Sequence, residues 1–260
     1  GEQLLKTDQD NGLVLRDGYV CSTDIGEVCR KFSDALADFG YPPCPGNIMV
    51  SNPHWCQSVS EFSQMVRMWS VTATPDSLME LAIFLDSHAV CGDSGLLEQV
   101  RSSVFALTAD NDGMLARFAS AINFFGSSNG WWNRLLARSD KGADHLDLKK
   151  VGPFPLVHGI RSLALASHLT CVSTVERIEA LVAMGKLPAK LGADLIDSLH
   201  FFMGLKLKVG LQDLATGHEI SGGIQKEKLS SLDRDLLNDT LSVVKLFKVI
   251  LNQRFHLEAL

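Results

Sequence analysis

The sequence predicts a small α/β domain followed by a larger all-helical domain. Strand-like apolar runs, Leu13–Leu15 and Leu81–Leu85, occur only in the first part of the chain, where segments with helical periodicity separate them. From about residue 94 onward, apolar residues recur at helical spacing and strand-like runs end. We therefore predict an α/β domain over residues 1–108 and a bundle of helices over residues 109–260.

A first helix is expected to begin after Asp24 and to end at Gly40. Asp24 and Glu27 have the spacing of a capping box, and a glycine commonly ends a helix in the left-handed conformation. The apolar residues of this segment share one helical face, which we expect to be buried: Ile25, Val28, Cys29, Phe32, Leu36 and Phe39.

A loop, a second helix and a strand are predicted next. The prolines and glycine of residues 41–46 prevent a regular element. Ser58 and Glu61 form a candidate capping box for a helix whose buried face would carry Phe62, Met65, Val66 and Trp69. The run Leu81–Leu85 has the length and composition of a buried strand, and it ends in Asp86.

The rest of the chain is predicted to be helical. One helix is marked by Leu96, Leu97, Val100 and Val104, and the next by Leu115, Phe118, Ala119, Ile122 and Phe125. Further helices are expected over residues 155–168, 173–185, 188–214 and 232–256, with Ser173 and Glu176 as a capping box. Residues 127–132 are polar and aromatic and predict a loop.

The last helix carries an apolar stripe, which we interpret as intramolecular core, with a homodimer interface as the alternative. Its members are Leu237, Leu241, Val244, Phe247 and Leu251.

Composition excludes several classes of protein. Hydrophobic residues make up 46% and charged residues 21% of the chain, as in globular proteins. We expect a cytoplasmic protein with no membrane partner, because no apolar run has the length of a membrane span and the opening residues 1–10 are charged. The net charge of -6 argues against a broad nucleic-acid-binding surface.

The six cysteines are scattered without a CxxC pair, which argues against a disulfide framework or a zinc ribbon. Cys44, His54 and Cys56 lie close in sequence, but their spacing matches no zinc pattern. We interpret the cysteines as mostly buried thiols.

An Asp-Gln-Asp motif immediately precedes the first strand-like run. In an extended segment Asp8 and Asp10 project to the same side, because side chains alternate with a period of two. Their oxygens can then converge on Mg²⁺ or Mn²⁺, ions that also bind phosphate. The motif favours phosphoryl or nucleotidyl transfer, and a solvated turn is the alternative.

Two-metal nucleotidyl transfer requires a third carboxylate that helps to deprotonate the acceptor hydroxyl. Asp86 is the candidate, because it ends a predicted strand as Asp8 and Asp10 begin one. The alternative is that Asp86 opens a turn or caps the following helix together with Asp93.

Several separated segments resemble the DUF294 family of nucleotidyltransferases: Gly1–Asn11, Cys44–Asn47, Asn52–Trp55, Ile83–Asp86 and Leu146–Lys149. That family is similar to the PII-protein uridylyltransferases, within the polymerase-beta-like superfamily. Residues 157–165, 173–181 and 231–255 resemble the family's helical substrate-binding domain, so the resemblance covers nearly the whole chain.

The resemblance implies a polymerase-beta-like catalytic domain that uses Mg²⁺ or Mn²⁺ and an NTP. It implies Asp8, Asp10 and Asp86 as catalytic residues and metal ligands. Candidate contacts to nucleotide or substrate are Thr7, Asn11, Asn52, His88, Lys149 and Arg161. Family members carry cyclic-nucleotide-binding and CBS modules upstream, which implies that this chain is the output part of a signal-transduction protein.

Two positions depart from the family pattern. A Gly-Ser pair that holds nucleotide phosphates would lie before Gly1, and a fragment without it is expected to bind nucleotide poorly. An arginine usually follows the third Asp by two residues, where this chain has His88. A protonated His88 can meet a phosphate but lacks the bidentate fork.

Other candidates have structural alternatives. Lys149 and Lys150 can contact phosphate or remain solvated, and Arg161 and Arg177 can contact substrate or form ion pairs between helices. Asn52 and Trp55 can line the nucleotide pocket, although a packing anchor is the favoured interpretation of Trp55. His200 is interpreted as a core histidine.

The leading hypothesis is transfer of an NMP from an NTP to an acceptor hydroxyl, which would be a protein tyrosine if the likeness to PII uridylyltransferases extends to the substrate. A small-molecule acceptor is the first alternative. A catalytically inactive module that senses nucleotide is the second.

Overall fold

A two-stranded parallel sheet opens the fold. The computed structural model describes residues 7–21, 23–124, 152–217 and 229–259. Strand β1 (Leu13–Leu15) pairs with β2 (Cys56–Ser58), with Leu13 opposite Cys56 and Leu15 opposite Ser58. Helix α1 (Ile25–Asp38) and a short 3₁₀ turn (Pro53–Trp55) lie between the strands in sequence.

Helix α1 begins where the sequence predicts, but its predicted buried face is wrong. The Asp24 side chain accepts hydrogen bonds from the backbone N–H groups of Gly26 and Glu27, at 2.9 and 3.3 Å. Cys29 is buried, whereas Val28, Phe32 and Phe39 are 48%, 50% and 78% exposed. Helical periodicity identifies the residues that share a face, but it does not establish what covers that face.

Helix α2 (Val59–Thr72) confirms both the predicted capping box and the predicted buried face. Ser58 and Glu61 form the complete capping box, and Phe62, Val66 and Trp69 are buried. The capping box closes because each side chain satisfies a backbone N–H that the first helical turn leaves without a partner.

The predicted strand Leu81–Leu85 is wrong, because these residues form the end of helix α3 (Pro75–Leu85). Thr74 caps this helix through the Ser77 N–H at 3.2 Å, and Pro75 occupies its first turn. An entirely apolar run of five residues has no periodicity that separates a buried strand from a buried helix. Thr74 and Pro75, upstream of the run, are the residues that distinguish a helix from a strand here.

Helix α4 (Ser94–Thr108) ends the first part. Within the described ranges, the helices that follow confirm the predicted all-helical second part. They are α5 (Asp112–Phe124), α6 (Pro153–Ala166), α7 (Thr174–Ala183), α8 (Ala189–Ala215) and α9 (Ser231–Phe255). Ser173 precedes α7 but makes no side-chain capping bond, so its predicted box does not form. The loop predicted over residues 127–132 lies outside the described residues.

A continuous cluster of buried hydrophobic side chains joins the two parts of the chain. It includes Trp69 and Phe84 from the first part and Phe118 and Phe247 from the second. The stripe on α9 is intramolecular core as predicted, with Leu237, Val244, Phe247 and Leu251 all buried. The predicted domain boundary at residue 108 falls where α4 ends, and the division itself stays a prediction.

Among the helices of the described part of the chain, none has the length and apolar character needed to cross a membrane.

Candidate functional site

Gln9 fastens the acidic motif to the body of the protein. Its side chain is buried, and its Nε2 donates to the carbonyl oxygens of Ser33 and Tyr41, both at 2.9 Å. The Gln9 backbone N–H donates to the Pro42 carbonyl at 3.0 Å. These bonds tie the motif to α1 and to the proline-rich loop that follows it.

Asp8 and Asp10 flank this anchor on the more open side. Asp8 is half-buried and Asp10 is exposed, whereas Gln9 between them is buried. This alternation agrees with an extended segment, in which neighbouring side chains point to opposite sides. The two carboxylates therefore lie on the side of the segment opposite the buried Gln9.

Asn11 has a structural role in the same segment. Its Oδ1 accepts the Val50 N–H at 2.9 Å, and its own N–H donates to the Ile48 carbonyl at 3.1 Å. Because these bonds hold the motif against residues 48–50, Asn11 positions the neighbouring carboxylates. Its predicted contact with nucleotide stays a prediction.

Cys44 lies beside the acidic motif as a protonated thiol. Burial is the main cause that raises the pKa of Cys44 to about 11, and the hydrogen bond to the Asp10 carboxylate acts in the same direction. No metal site is formed by Cys44, His54 and Cys56, because their side chains have other neighbours. His54 Nε2 lies 3.2 Å from Glu80 Oε1, and the sulfur of Cys56 lies 4.0 Å from that of Cys29.

The two carboxylates of the acidic motif can be compared with the ligands that a metal ion needs. Across the residues that the structure describes, no three His, Cys, Asp or Glu side chains are grouped to hold a metal ion. Mg²⁺ is commonly held by one or two protein carboxylates together with phosphate oxygens of the substrate and water. Asp8 and Asp10 fit that requirement, with the remaining ligands supplied by a nucleotide.

Asp86 lies with two arginines instead of with Asp8 and Asp10. It follows the last residue of α3, and Arg161 of α6 binds it through Nε at 3.0 Å and through Nη2. Arg177 of α7 donates from Nη1 to Asp86 Oδ1 at 2.7 Å. Asp86 therefore ends a helix, and it links the first part of the chain to the second. Its predicted role as third metal ligand stays a prediction.

The arginines determine the charge state of this carboxylate. Burial by itself raises the pKa of Asp86, but the charges and hydrogen bonds of Arg161 and then Arg177 outweigh it and hold the pKa below its usual value. Asp86 is consequently ionised at neutral pH. The alternative for Asp86 as a cap of α4 is wrong, since Asp93 alone caps that helix through the Gly95 N–H at 3.0 Å.

A third arginine lies in the same region. Arg101 of α4 is buried, and it donates to the Glu98 carboxylate at 2.5 Å and to the Ser87 carbonyl at 2.6 Å. Arg101, Arg161 and Arg177 line one small cavity with Leu85 and Phe105. Three guanidinium groups thus surround the end of α3. No sequence signal marks Arg101 as part of this site, since its helical position alone does not distinguish it from a surface residue.

His158 is a further buried residue that no sequence signal marks, and the prediction of His200 as a core histidine is wrong. His158 is fully buried, with Nε2 2.8 Å from the Phe118 carbonyl oxygen and Nδ1 3.2 Å from Arg161 Nη1. His200 is exposed although Leu199 and Phe202 are buried. His200 lies on the outer face of helix α8. Because its neighbours in the sequence are apolar, the sequence alone suggests a buried position.

The other predicted contacts are dispersed. Asn52 accepts the His54 N–H at 3.1 Å and donates to the Asn47 carbonyl at 2.9 Å, so it shapes its own loop. His88 is exposed, Thr7 is half-buried, and Lys149 lies outside the described residues. Trp55 is a packing anchor as predicted, 5.8 Å from the ring of Trp69.

A separate cavity of about 440 Å³ lies where α4, α6 and α9 end. Its lining residues include Thr108, Asp112, His168, Arg254 and His256. Its volume is within the range of small-molecule sites, about 300–1,000 Å³. The sequence predicts no site at this place.

Comparison with protein families covers both parts of the chain. Residues 1–76, which include the acidic motif, match the family described as "Putative nucleotidyltransferase DUF294". Residues 112–255 match the family described as "Putative nucleotidyltransferase substrate binding domain". No curated protein and no solved structure matches the chain. Since the second match alone spans more than half of the sequence, the chain belongs to the DUF294 family of nucleotidyltransferases.

Proposed function

We propose that this protein transfers an NMP from an NTP to an acceptor hydroxyl in a reaction that depends on Mg²⁺ or Mn²⁺. The observation that carries the proposal is the anchored acidic motif. Gln9 is buried and bonded to two backbone carbonyls, while Asp8 and Asp10 remain on the more open side. A segment held in this way keeps two carboxylates in a constant relation to each other.

Asp8 and Asp10 would hold the metal, which when bound neutralises charge on the nucleotide phosphates. Asn11 and Gln9 keep the two carboxylates in place through their bonds to residues 33, 41 and 50. The Cys44 thiol donates a hydrogen bond to Asp10 and orients that carboxylate without adding negative charge. The metal would then lie at the acidic motif, and the helical part would present the acceptor.

The test measures incorporation of labelled NMP by the full-length protein with each NTP in turn. Asp8→Asn and Asp10→Asn should each abolish incorporation, because either change removes a charged metal ligand. Asp34→Asn is the matched control, since Asp34 is an exposed carboxylate on α1. Incorporation by the Asp8→Asn, Asp10→Asn double variant equal to that of the control would contradict the proposal.

A small-molecule acceptor is supported by the 440 Å³ cavity. A recess of this size can take a metabolite with a hydroxyl group, whereas a protein acceptor would need a broader exposed surface. Transfer of label to a mixture of small hydroxyl compounds, lost in an Arg254→Gln variant, would favour this candidate. Label found only on protein would favour a protein hydroxyl.

Nucleotide sensing without turnover is a further candidate, supported by the pairing of Asp86 with two arginines. Calorimetry with NTP in the presence of EDTA separates it from catalysis. Binding that needs no metal, together with no incorporation of label, would favour a sensor.

A further inference from the structure

We propose that Arg161 and Arg177 form a phosphate-binding site, which the carboxylate of Asp86 fills in this structure. The ligand class is the polyphosphate of a nucleotide, and the inference rests in this respect on the proposed function. The chain would then contact its nucleotide at two places, the acidic motif and this pair of arginines.

The geometry around Asp86 is that of an anion site. Arg161 binds both carboxylate oxygens, one through Nε at 3.0 Å and the other through Nη2. Arg177 adds a bond to Oδ1 at 2.7 Å. A guanidinium fork matches two oxygens of a phosphate as well as two oxygens of a carboxylate. The same donors can therefore accept either anion.

The arginines are held in position independently of Asp86. Arg177 donates from Nε to the Cys171 carbonyl at 2.8 Å and from Nη2 to the Leu85 carbonyl at 3.0 Å. Nη1 of Arg161 lies 3.2 Å from Nδ1 of the neutral His158. These contacts keep the donors aimed at the same point when the carboxylate leaves, so an incoming anion finds a site that is already organised.

The charge of the region favours an anion with more charge than a carboxylate. Arg101, Arg161 and Arg177 line the same cavity, and within the described residues the carboxylates of Asp86 and Glu98 pair with them. The side chains of the three arginines are only 3% to 11% exposed. A phosphate carries more negative charge than the carboxylate of Asp86, so its attraction to these guanidinium groups would be stronger.

Asp86 lies at the entrance to the arginines. Its side chain is 34% exposed, whereas those of Arg161 and Arg177 are 11% and 3% exposed. The cavity beneath measures about 10 Å³, room for about one water molecule, so a phosphate must take the place of the carboxylate. Because the Asp86 side chain is partly exposed, rotation of this side chain toward solvent would vacate the site while the backbone stays in place, held by the Ser87 N–H donating to the Phe84 carbonyl at 3.0 Å.

The experiment is calorimetric titration of the full-length protein with inorganic tripolyphosphate in buffer that contains EDTA. Asp86→Asn removes the internal competitor and should tighten binding by about tenfold or more. Arg177→Gln and Arg161→Lys should weaken binding by about tenfold or more, the order expected for loss of hydrogen bonds to a charged group. Arg161→Lys keeps the charge and loses the fork, which guards against a variant that fails to fold.

Arg16→Gln is the matched control, because Arg16 forms an exposed ion pair with Asp93 at 3.2 Å. It should leave the affinity unchanged. Melting curves for each variant establish that it is folded at the temperature of the titration. Affinities of Asp86→Asn and Arg161→Lys within twofold of the unmodified protein would overturn the inference and leave a purely structural ion pair.

The outcome is separable from that of the proposed function. Tripolyphosphate binding that follows the arginine and Asp86 variants, with no NMP incorporation under any condition, would contradict the proposed function alone. The opposite result is NMP incorporation that requires Asp8 and Asp10, together with a tripolyphosphate affinity that is unchanged in Arg161→Lys and Arg177→Gln. It would contradict this inference alone.

Discussion

At the scale of single residues, His158 shows how burial determines a charge state. Burial, followed by the nearby charge of Arg161, lowers the pKa of His158 to about 3. The neutral ring fits its surroundings, since Nε2–H can donate to the Phe118 carbonyl at 2.8 Å and Nδ1 can accept from Arg161. His158 therefore acts as a neutral link between α5 and Arg161.

The stability of the protein should decrease between pH 6 and pH 4.5 because of His158. In this range the unfolded chain binds a proton at its histidine, with an ordinary pKa near 6.5, and the folded chain does not. The free energy of unfolding should fall by about 1.4 kcal/mol per pH unit from this group. His158→Gln should flatten the slope measured by urea denaturation, and the exposed His200→Gln should not. Equal slopes in all three proteins would contradict the assignment.

The acidic motif shows which properties of single residues can be predicted from neighbouring positions in the sequence. The alternation of Asp8, Gln9 and Asp10 follows from the period of an extended chain, and the structure agrees with it. The anchoring role of Gln9 could not be predicted, because its partners Ser33 and Tyr41 lie 24 and 32 residues away. The same limit applies to His158 and Phe118, which are 40 residues apart.

At the scale of secondary-structure elements, close packing of α6 against α9 makes Gly159 essential. A Cβ at position 159 would lie 2.4 Å from Leu251 Cδ1 and 2.7 Å from Phe247 Cε1. Leu251 and Phe247 are fully buried and have little freedom to move away. Helix α6 can approach α9 this closely because residue 159 has no side chain.

Gly159→Ala should destabilise the protein by about 1–3 kcal/mol through overpacking. The matched change Gly204→Ala lies in helix α8, where a new Cβ meets nothing within 4 Å. It should stabilise the protein by about 0.5–1 kcal/mol, because alanine loses less backbone entropy than glycine in a helix. Thermal unfolding of both variants tests the pair, and a neutral or stabilising Gly159→Ala would contradict the close contact.

Elements were predicted well where capping residues mark their ends. Asp24 and Ser58 start α1 and α2 as expected, because a cap involves only residues within one turn. The strand predicted at Leu81–Leu85 failed for a related reason. The capping residue Thr74 lies seven residues before the apolar run, and the run itself carries no period.

At the scale of the whole molecule, the buried cluster predicts that both parts of the chain unfold together. Helices α3 and α4 both contact α6, and the cluster extends from Trp69 to Phe247 without interruption. The interface between the parts is therefore core, and its loss exposes apolar surface on both sides. Independent domains would instead share only a limited contact.

Urea unfolding should give one midpoint by two probes in a Trp131→Phe, Trp132→Phe background. Fluorescence of Trp55 and Trp69 reports the first part, and far-ultraviolet circular dichroism reports mainly the helices of the second. Leu251→Ala in α9 removes a fully buried side chain and should lower both midpoints together, at a cost of about 2–5 kcal/mol. Two separated midpoints, with only the dichroism shifted by Leu251→Ala, would show that the parts unfold independently.

The sequence by itself determined the acidic motif, the capped starts of α1 and α2, and the helical character of the second part. Each depends on residues a few positions apart, whose relation is set by the period of a strand or a helix. Only the tertiary structure decided that Asp86 ends a helix and pairs with Arg161, 75 residues away, and with Arg177, 91 residues away. Contacts at such separations depend on how whole helices pack, and local spacing contains no information about them.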